Sequence, residues 1–165
     1  MQKYIDMLLA EGAAEAKEID VSTVVTAAWT FHKCKFGCKA FGKSHCCPPN
    51  TPKWNETQEI LDCYKRGILF RFTGLENDPV TVMAAKVARE MFLDGYYKVI
   101  PFGSGPCSKC KNCNIERCNF PHDTCPAMEA CGIDVFATAR NNGFPIETIR
   151  DISEDHNYYG LLLAE

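Results

Sequence analysis

Residues 107–121 read Cys-Ser-Lys-Cys-Lys-Asn-Cys-Asn-Ile-Glu-Arg-Cys-Asn-Phe-Pro, and this run constrains the chain more than any other stretch. Cys107, Cys110 and Cys113 stand three residues apart, Cys118 follows five later, and Pro121 comes soon after. One tight loop with this spacing can aim three thiolates at a common centre and bring a fourth beside them. The question therefore moves from which fold to which metal.

The run is close to the C-x2-C-x2-C core, with a fourth Cys near Pro, that wraps a cubane in bacterial ferredoxins. Structural zinc is the main rival, since four thiolates also suit a tetrahedral ion. Zinc sites usually bring two C-x2-C pairs across a long spacer, whereas here three ligands come from one turn. A [4Fe-4S] cluster is therefore favoured over Zn2+, with Cys125, just before Pro126, as a substitute for Cys118.

The chain has 165 residues and 11 cysteines. At that length one domain spanning residues 1–165 buries a sizeable core without disulfides, so the cysteines need another reason to exist. They cluster into Cys34, Cys38, Cys46 and Cys47, and then Cys107, Cys110, Cys113, Cys118, Cys125 and Cys131, with Cys63 apart. No basic region leads into an apolar run at the N-terminus, and no apolar stretch is long enough to span a membrane. A cytoplasmic protein is expected, in which clustered cysteines are ligands or redox groups. A net charge of −3 gives no reason to expect a nucleic-acid partner.

Hydrophobic periodicity and breaker residues predict a mixed α/β (α+β) chain, a small sheet with flanking helices and two cysteine-rich loops at 34–52 and 103–126. Helices are expected at Tyr4 to Lys17, Thr57 to Tyr64, Asp78 to about Leu93, and Pro126 to Arg140. Asp78 is placed at a helix cap and Pro79 in the first turn. Strands are expected at Val21 to Phe31, Gly67 to Phe72, Tyr96 to Phe102 and Tyr158 to Leu163. Each cysteine group then follows a strand, which puts both near one sheet edge.

In the first group, Cys34-Lys-Phe-Gly-Cys38 is followed by Cys46-Cys47-Pro48-Pro49. Cys34, Cys38 and Cys47 are read as a second metal site, Cys47 being preferred to Cys46 because the prolines fix its backbone most directly. Three protein thiolates leave a fourth position open to substrate or sulfide. The alternative is closure by Cys46, Cys63, Cys125, Cys131, His32 or His45. Lys33, Lys35, Lys39 and Lys43 surround the motif. They either dock an acidic partner or an anionic substrate, or simply offset cluster charge and face solvent, and the second reading is preferred.

Two tempting motifs fail. Gly37-x4-Gly42-Lys43-Ser44 fits a phosphate-binding loop, but Pro48 and Pro49 stop the helix that such a loop must open. Radical S-adenosylmethionine chemistry needs C-x3-C-x2-C, and the third position here is Phe41. His122 and His156 read as surface residues, and Glu129 and Asp134 as helix caps or helix surface.

Several stretches agree together in residue type, spacing and order. They are Cys34-Lys-Phe-Gly-Cys38-Lys-Ala-Phe-Gly-Lys43, Cys47-Pro48-Pro49, Gly103-Ser-Gly-Pro-Cys107-x2-Cys110-x2-Cys113, Cys118-Asn-Phe-Pro121, and Met128-Glu-Ala-Cys-Gly-Ile-Asp-Val135. From about Thr30 to the C-terminal strand they resemble domain-of-unknown-function family 2284, an uncharacterised set of metal-binding proteins. The resemblance implies a cytoplasmic iron–sulfur protein of the kind found in anaerobes. It puts the family's motif cysteines at Cys34, Cys38, Cys47, Cys107, Cys110, Cys113 and Cys118, with Cys46, Cys63, Cys125 and Cys131 additional.

Three functions follow from these residues. The first is electron transfer through one or two [4Fe-4S] clusters to a redox partner protein. The second is an enzyme or sulfur-handling factor whose open iron at Cys34, Cys38 and Cys47 takes a small-molecule substrate. The third is a zinc-stabilised interaction module.

Overall fold

The computed structural model describes residues 1–74, 78–151 and 153–165, and only the backbone of Asp78. Its helices are α1 (Gln2–Ala10), α2 (Trp29–Gly37), α3 (Trp54–Leu61), α4 (Asp78–Leu93) and α5 (Val135–Asn141). Its strands are β1 (Glu15–Asp20), β2 (Arg66–Gly74), β3 (Ile100–Phe102) and β4 (His156–Leu163). They form one antiparallel sheet in the order β1-β2-β4-β3. The expected mixed α+β architecture is therefore the observed one, and no helix among the described residues is long and apolar enough to cross a membrane.

The two central strands are apolar on both faces, because both faces are covered. Successive side chains of a strand point to opposite sides. Ile68, Phe70, Phe72 and Leu162 join Tyr4 and Leu8 of α1 and Val80, Ala84, Val87 and Met91 of α4 in one core. Leu69, Tyr159, Leu161 and Leu163 face the other way, onto Met128, Ile133, Val135 and Ala139. This second layer carries the cysteine loops. Each large apolar side chain so buried contributes about 1.5–3 kcal/mol of transfer free energy.

Four expected elements differ. The first helix stops at Ala10 rather than Lys17. Gly12 takes φ +96°, its N–H bonds to Leu9 O, and Ala13 N–H bonds to Leu8 O. That pairing is a Schellman end, which closes a helix with a left-handed glycine. The helix-forming residues that follow become β1, because β2 offers a ladder from Glu15↔Arg71 to Asp20↔Arg66.

Val21 to Phe31 is not a strand. Its β-branched run makes a short 3-10 turn at Val21–Thr23, an extended stretch with one isolated bridge, Thr26↔Ile133, and then the first residues of α2. The first cysteine group therefore follows a helix, and the idea that a strand leads into each group holds only for the second.

Pro126 to Arg140 is not one helix. A 3-10 turn at Glu129–Cys131 and α5 are separated by Gly132 at φ +84°. A Cβ there would stand 2.4 Å from Trp54 Cα, so the start of α3 approaches the backbone directly. The strand expected at Tyr96 to Phe102 is confined to Ile100–Phe102, since Tyr96–Val99 forms turns after α4. The expected Asp78 cap lies outside the described side chains.

Candidate metal centre

The long cysteine loop is pinched at its base. Gly103 N–H donates to Pro126 O at 2.8 Å, and Met128 N–H donates to Gly103 O at 3.2 Å. Thr81 Oγ1 of α4 donates to Ser104 O at 3.1 Å and accepts from Ser104 N–H at 3.2 Å. Residues between these clamps have no helix or strand, so the chain from β3 leaves the sheet edge, turns through five cysteines and returns to the same place.

The other cysteine loop is held from the opposite side. Asp134 N–H bonds to Val25 O and Ala27 N–H to Gly132 O, both at 2.8 Å, which seats the start of α2 against the 3-10 turn. Cys34 lies in the last turn of α2 and Cys38 one helical turn on, with Cys38 N–H bonded to Cys34 O at 3.2 Å. Beyond it, Gly42 N–H reaches Pro48 O at 2.8 Å. Ser44 Oγ accepts from Cys46 N–H at 3.0 Å, and Asn50 Nδ2 donates to Ser44 O at 3.0 Å. No helix opens after Lys43, consistent with the rejected phosphate-loop reading.

Two thiol groups result. Cys34, Cys38 and Cys47 lie on the wall of one cavity of about 830 Å3. Burial pushes the Cys34 thiol up, and the neighbouring Cys38, Glu129 and Cys47 add to that. Cys107, Cys110, Cys113 and Cys118 line a separate, nearly filled cleft of about 20 Å3, together with Cys46. Thr124 Oγ1 donates to Cys107 Sγ at 3.2 Å and lies 3.7 Å from Cys46 Sγ. Burial pushes the Cys46 thiol up to about 11, with Thr124 opposing and Cys107 and Cys118 reinforcing. Burial likewise raises Cys47, with Ser44 opposing and Cys38, Cys107 and Cys113 reinforcing. The adjacent residues Cys46 and Cys47 thus face different groups.

The remaining cysteines lie elsewhere. Cys63 is exposed just after α3, its thiol donating to Glu59 O at 3.4 Å. Cys125 is buried against α4, 3.9 Å from Thr81 O, and burial holds its thiol far above the usual range. Cys131 is fully buried in the second core, where burial raises its thiol to about 12. All eleven cysteines are free thiols. The lysines Lys33, Lys35, Lys39 and Lys43 are exposed. Lys33 Nζ sits 5.1 Å from the Trp29 ring centroid on the cavity wall, and Lys35 Nζ 5.5 Å from that of Phe36.

Sequence reasoning missed two residues. His156 was expected at the surface, yet it lines the large cavity with its Nε2 buried and unpaired. Glu129 lines the same cavity, open to it but crowded by protein. That crowding raises its carboxyl above the usual range, against the pull of Lys33. Only the long-range packing of β4 and the 3-10 turn brings them there. Asp134 is a cap, accepting from Ala137 N–H at 3.0 Å.

Among the described residues, no three His, Cys, Asp or Glu side chains converge on a point that a single ion would fill. The donor chemistry nonetheless fits a thiophilic group. Five soft thiol donors share the small cleft, and His45 beside them has a buried Nε2 with no hydrogen-bond partner. A group larger than a water needs the loop to open there. That loop has no regular element to break, and Cys110, Cys113 and Cys118 are half-exposed on it.

No curated protein and no solved structure matches this chain. Residues 17–164 match a family described as "Predicted metal-binding protein (DUF2284)", and the chain belongs to that family.

Proposed function

We propose that the protein is an iron–sulfur redox protein with two unequal centres. Cys107, Cys110 and Cys113, with Cys118 or Cys46, hold a [4Fe-4S] cluster, and Cys34, Cys38 and Cys47 hold a second with one position left to a small molecule. A cluster bound in these ways supplies one-electron chemistry at the first site and an open coordination position at the second. The observation that carries this reading is that three thiols line an 830 Å3 cavity, while the other group lines a separate small cleft together with Ser44, His45 and Cys46. Cavities of that volume are in the range that takes small ligands.

The chain's own residues do the positioning. Cys46 and Cys47 join the two groups through one peptide unit, so charge at one group bears on the other, as the raising effect of Cys107 and Cys113 on Cys47 indicates. Ser44 and Asn50 hold that dipeptide in place. Exposed Lys35, Lys39 and Lys43 offer positive charge to an acidic electron-donor protein. Eleven cysteines with no disulfide among them suit a reducing compartment such as the cytoplasm.

The test is electron paramagnetic resonance of the reduced protein, purified without oxygen, beside Cys47→Ala and Cys110→Ala. The account expects two signals in the parent, with Cys47→Ala losing one and Cys110→Ala the other. A parent protein that binds zinc and gives no signal contradicts it and leaves the zinc-stabilised module in its place.

A further inference from the structure

The turn that carries Glu129 is tied to both segments that carry the thiols of the second centre. Ala27 N–H, just before α2, donates to Gly132 O at 2.8 Å. Thr51 Oγ1, a few residues beyond Cys47, donates to Ala130 O at 2.5 Å. Thr57 Oγ1 of α3 donates to Cys131 O at 2.5 Å. These bonds hold the Glu129 backbone in register with α2 on one side and with the Cys47 loop on the other. Its side chain accordingly lines the cavity that Cys34, Cys38 and Cys47 line. Its charge also acts on the Cys34 thiol ahead of that of Cys47, which puts the carboxylate among the thiols.

That carboxylate has no cation against it. Among the described residues no ion pair includes Glu129. Its own backbone N–H is the donor that it meets, and Lys33 acts on it through charge alone, with Nζ 5.1 Å from the Trp29 ring centroid. A carboxylate crowded by protein is costly without a partner. Iron at the position that three thiolates leave open is a cation that answers it. The four side chains need not converge on one point, because a cubane takes a ligand at each of four corners.

We propose that Glu129 is the fourth protein ligand of the second centre, an exchangeable carboxylate oxygen on the iron that Cys34, Cys38 and Cys47 do not hold. The inference rests on the second centre proposed above and names what occupies its open position until a small molecule does. A carboxylate is a harder donor than a thiolate and suits a cluster iron less well. An incoming soft ligand therefore replaces it: one Fe–O bond breaks, one bond from iron to the newcomer forms, and no electron or proton moves. The released carboxylate keeps its charge in a wall that also holds Lys33.

The test is electron paramagnetic resonance of the reduced protein, purified without oxygen, during additions of methyl isocyanide, a neutral ligand, or of cyanide, an anion. The parent is compared with Glu129→Gln and Glu129→Ala. Glu129→Gln keeps the shape of the side chain, so the comparison does not hinge on a folding defect. Both ligands should change the signal that Cys47→Ala removes and leave the other signal alone. Both should bind roughly tenfold or more tighter in the two variants, because in the parent the iron is free only in the fraction of molecules whose Glu129 is off it.

Equal affinities in all three proteins overturn the proposal. Tightening of cyanide alone overturns it too, since that is the loss of a negative charge. So does tightening in Glu129→Ala alone, since that is the loss of bulk. A parent with no second signal removes the second centre and the ligand assignment together. A second signal whose ligand affinities ignore Glu129 removes only the assignment and leaves that centre with an open iron.

Discussion

Cys46 and Cys47 show what one residue of register does in a loop. Their side chains leave the backbone in different directions, one toward Thr124 and Cys107, the other toward the cavity of Cys34 and Cys38. The prolines favour Cys47 over Cys46 at the first group, and Cys47 lines the cavity that Cys34 and Cys38 also line. The structure also gives Cys46 a location beside the second group, which the spacing alone did not indicate. Cys131 illustrates the opposite case, a cysteine that belongs to the core.

Burial raises the Cys131 thiol to about 12, so the folded state holds its proton more tightly than the unfolded chain does. The stability this confers is complete below the unfolded thiol value of about 8.5 and is lost as pH rises from there toward the folded value. Urea midpoints should therefore fall between pH 8.5 and 10, and fall less steeply in Cys131→Val. Parallel declines in the two proteins would show that Cys131 is not the group responsible.

Elements were legible wherever local chemistry and tertiary packing agree. The helix from Asp78 to Leu93 has the expected bounds, and the strands around Gly67 to Phe72 and Tyr158 to Leu163 are apolar enough that burial only extends their ends. Glu15–Asp20 was not legible, because a helix-favouring sequence was recruited as an edge strand by β2. The break at Gly132 was not legible either, because its cause is Trp54, far away in sequence.

That contact supports a prediction at the scale of the element. Gly132→Ala forces a side chain into a left-handed backbone and against the start of α3, and should cost at least about 2 kcal/mol. The loss is read from denaturant unfolding. Because Gly132 O also accepts from Ala27 N–H, the damage should spread to α2 and lower occupancy of the Cys34 group before that of the Cys107 group. Unchanged stability would mean that α3 gives way without cost.

Across the whole molecule, the sheet separates two duties. The face covered by α1 and α4 is an apolar core that Cys125 joins, whereas the other face packs against the 3-10 turn and α5. The pinch at Gly103 and Pro126 and the docking of α2 by Val25 and Ala27 bring together two loops far apart in sequence. The motif spacing made each cysteine group legible; a shared sheet edge was expected from a strand before each group, which the first group lacks, and the cavity at one of them was not legible. That cavity depends on how β4, the Glu129 turn and the end of α2 meet, which no local pattern encodes.

The most direct test of two unequal thiolate centres is the iron, acid-labile sulfide and zinc content of protein purified without oxygen, read beside its visible spectrum. The account predicts about eight iron and eight sulfide per chain, two cubanes, with broad visible absorbance. Stoichiometric zinc with no iron and no visible absorbance would contradict it.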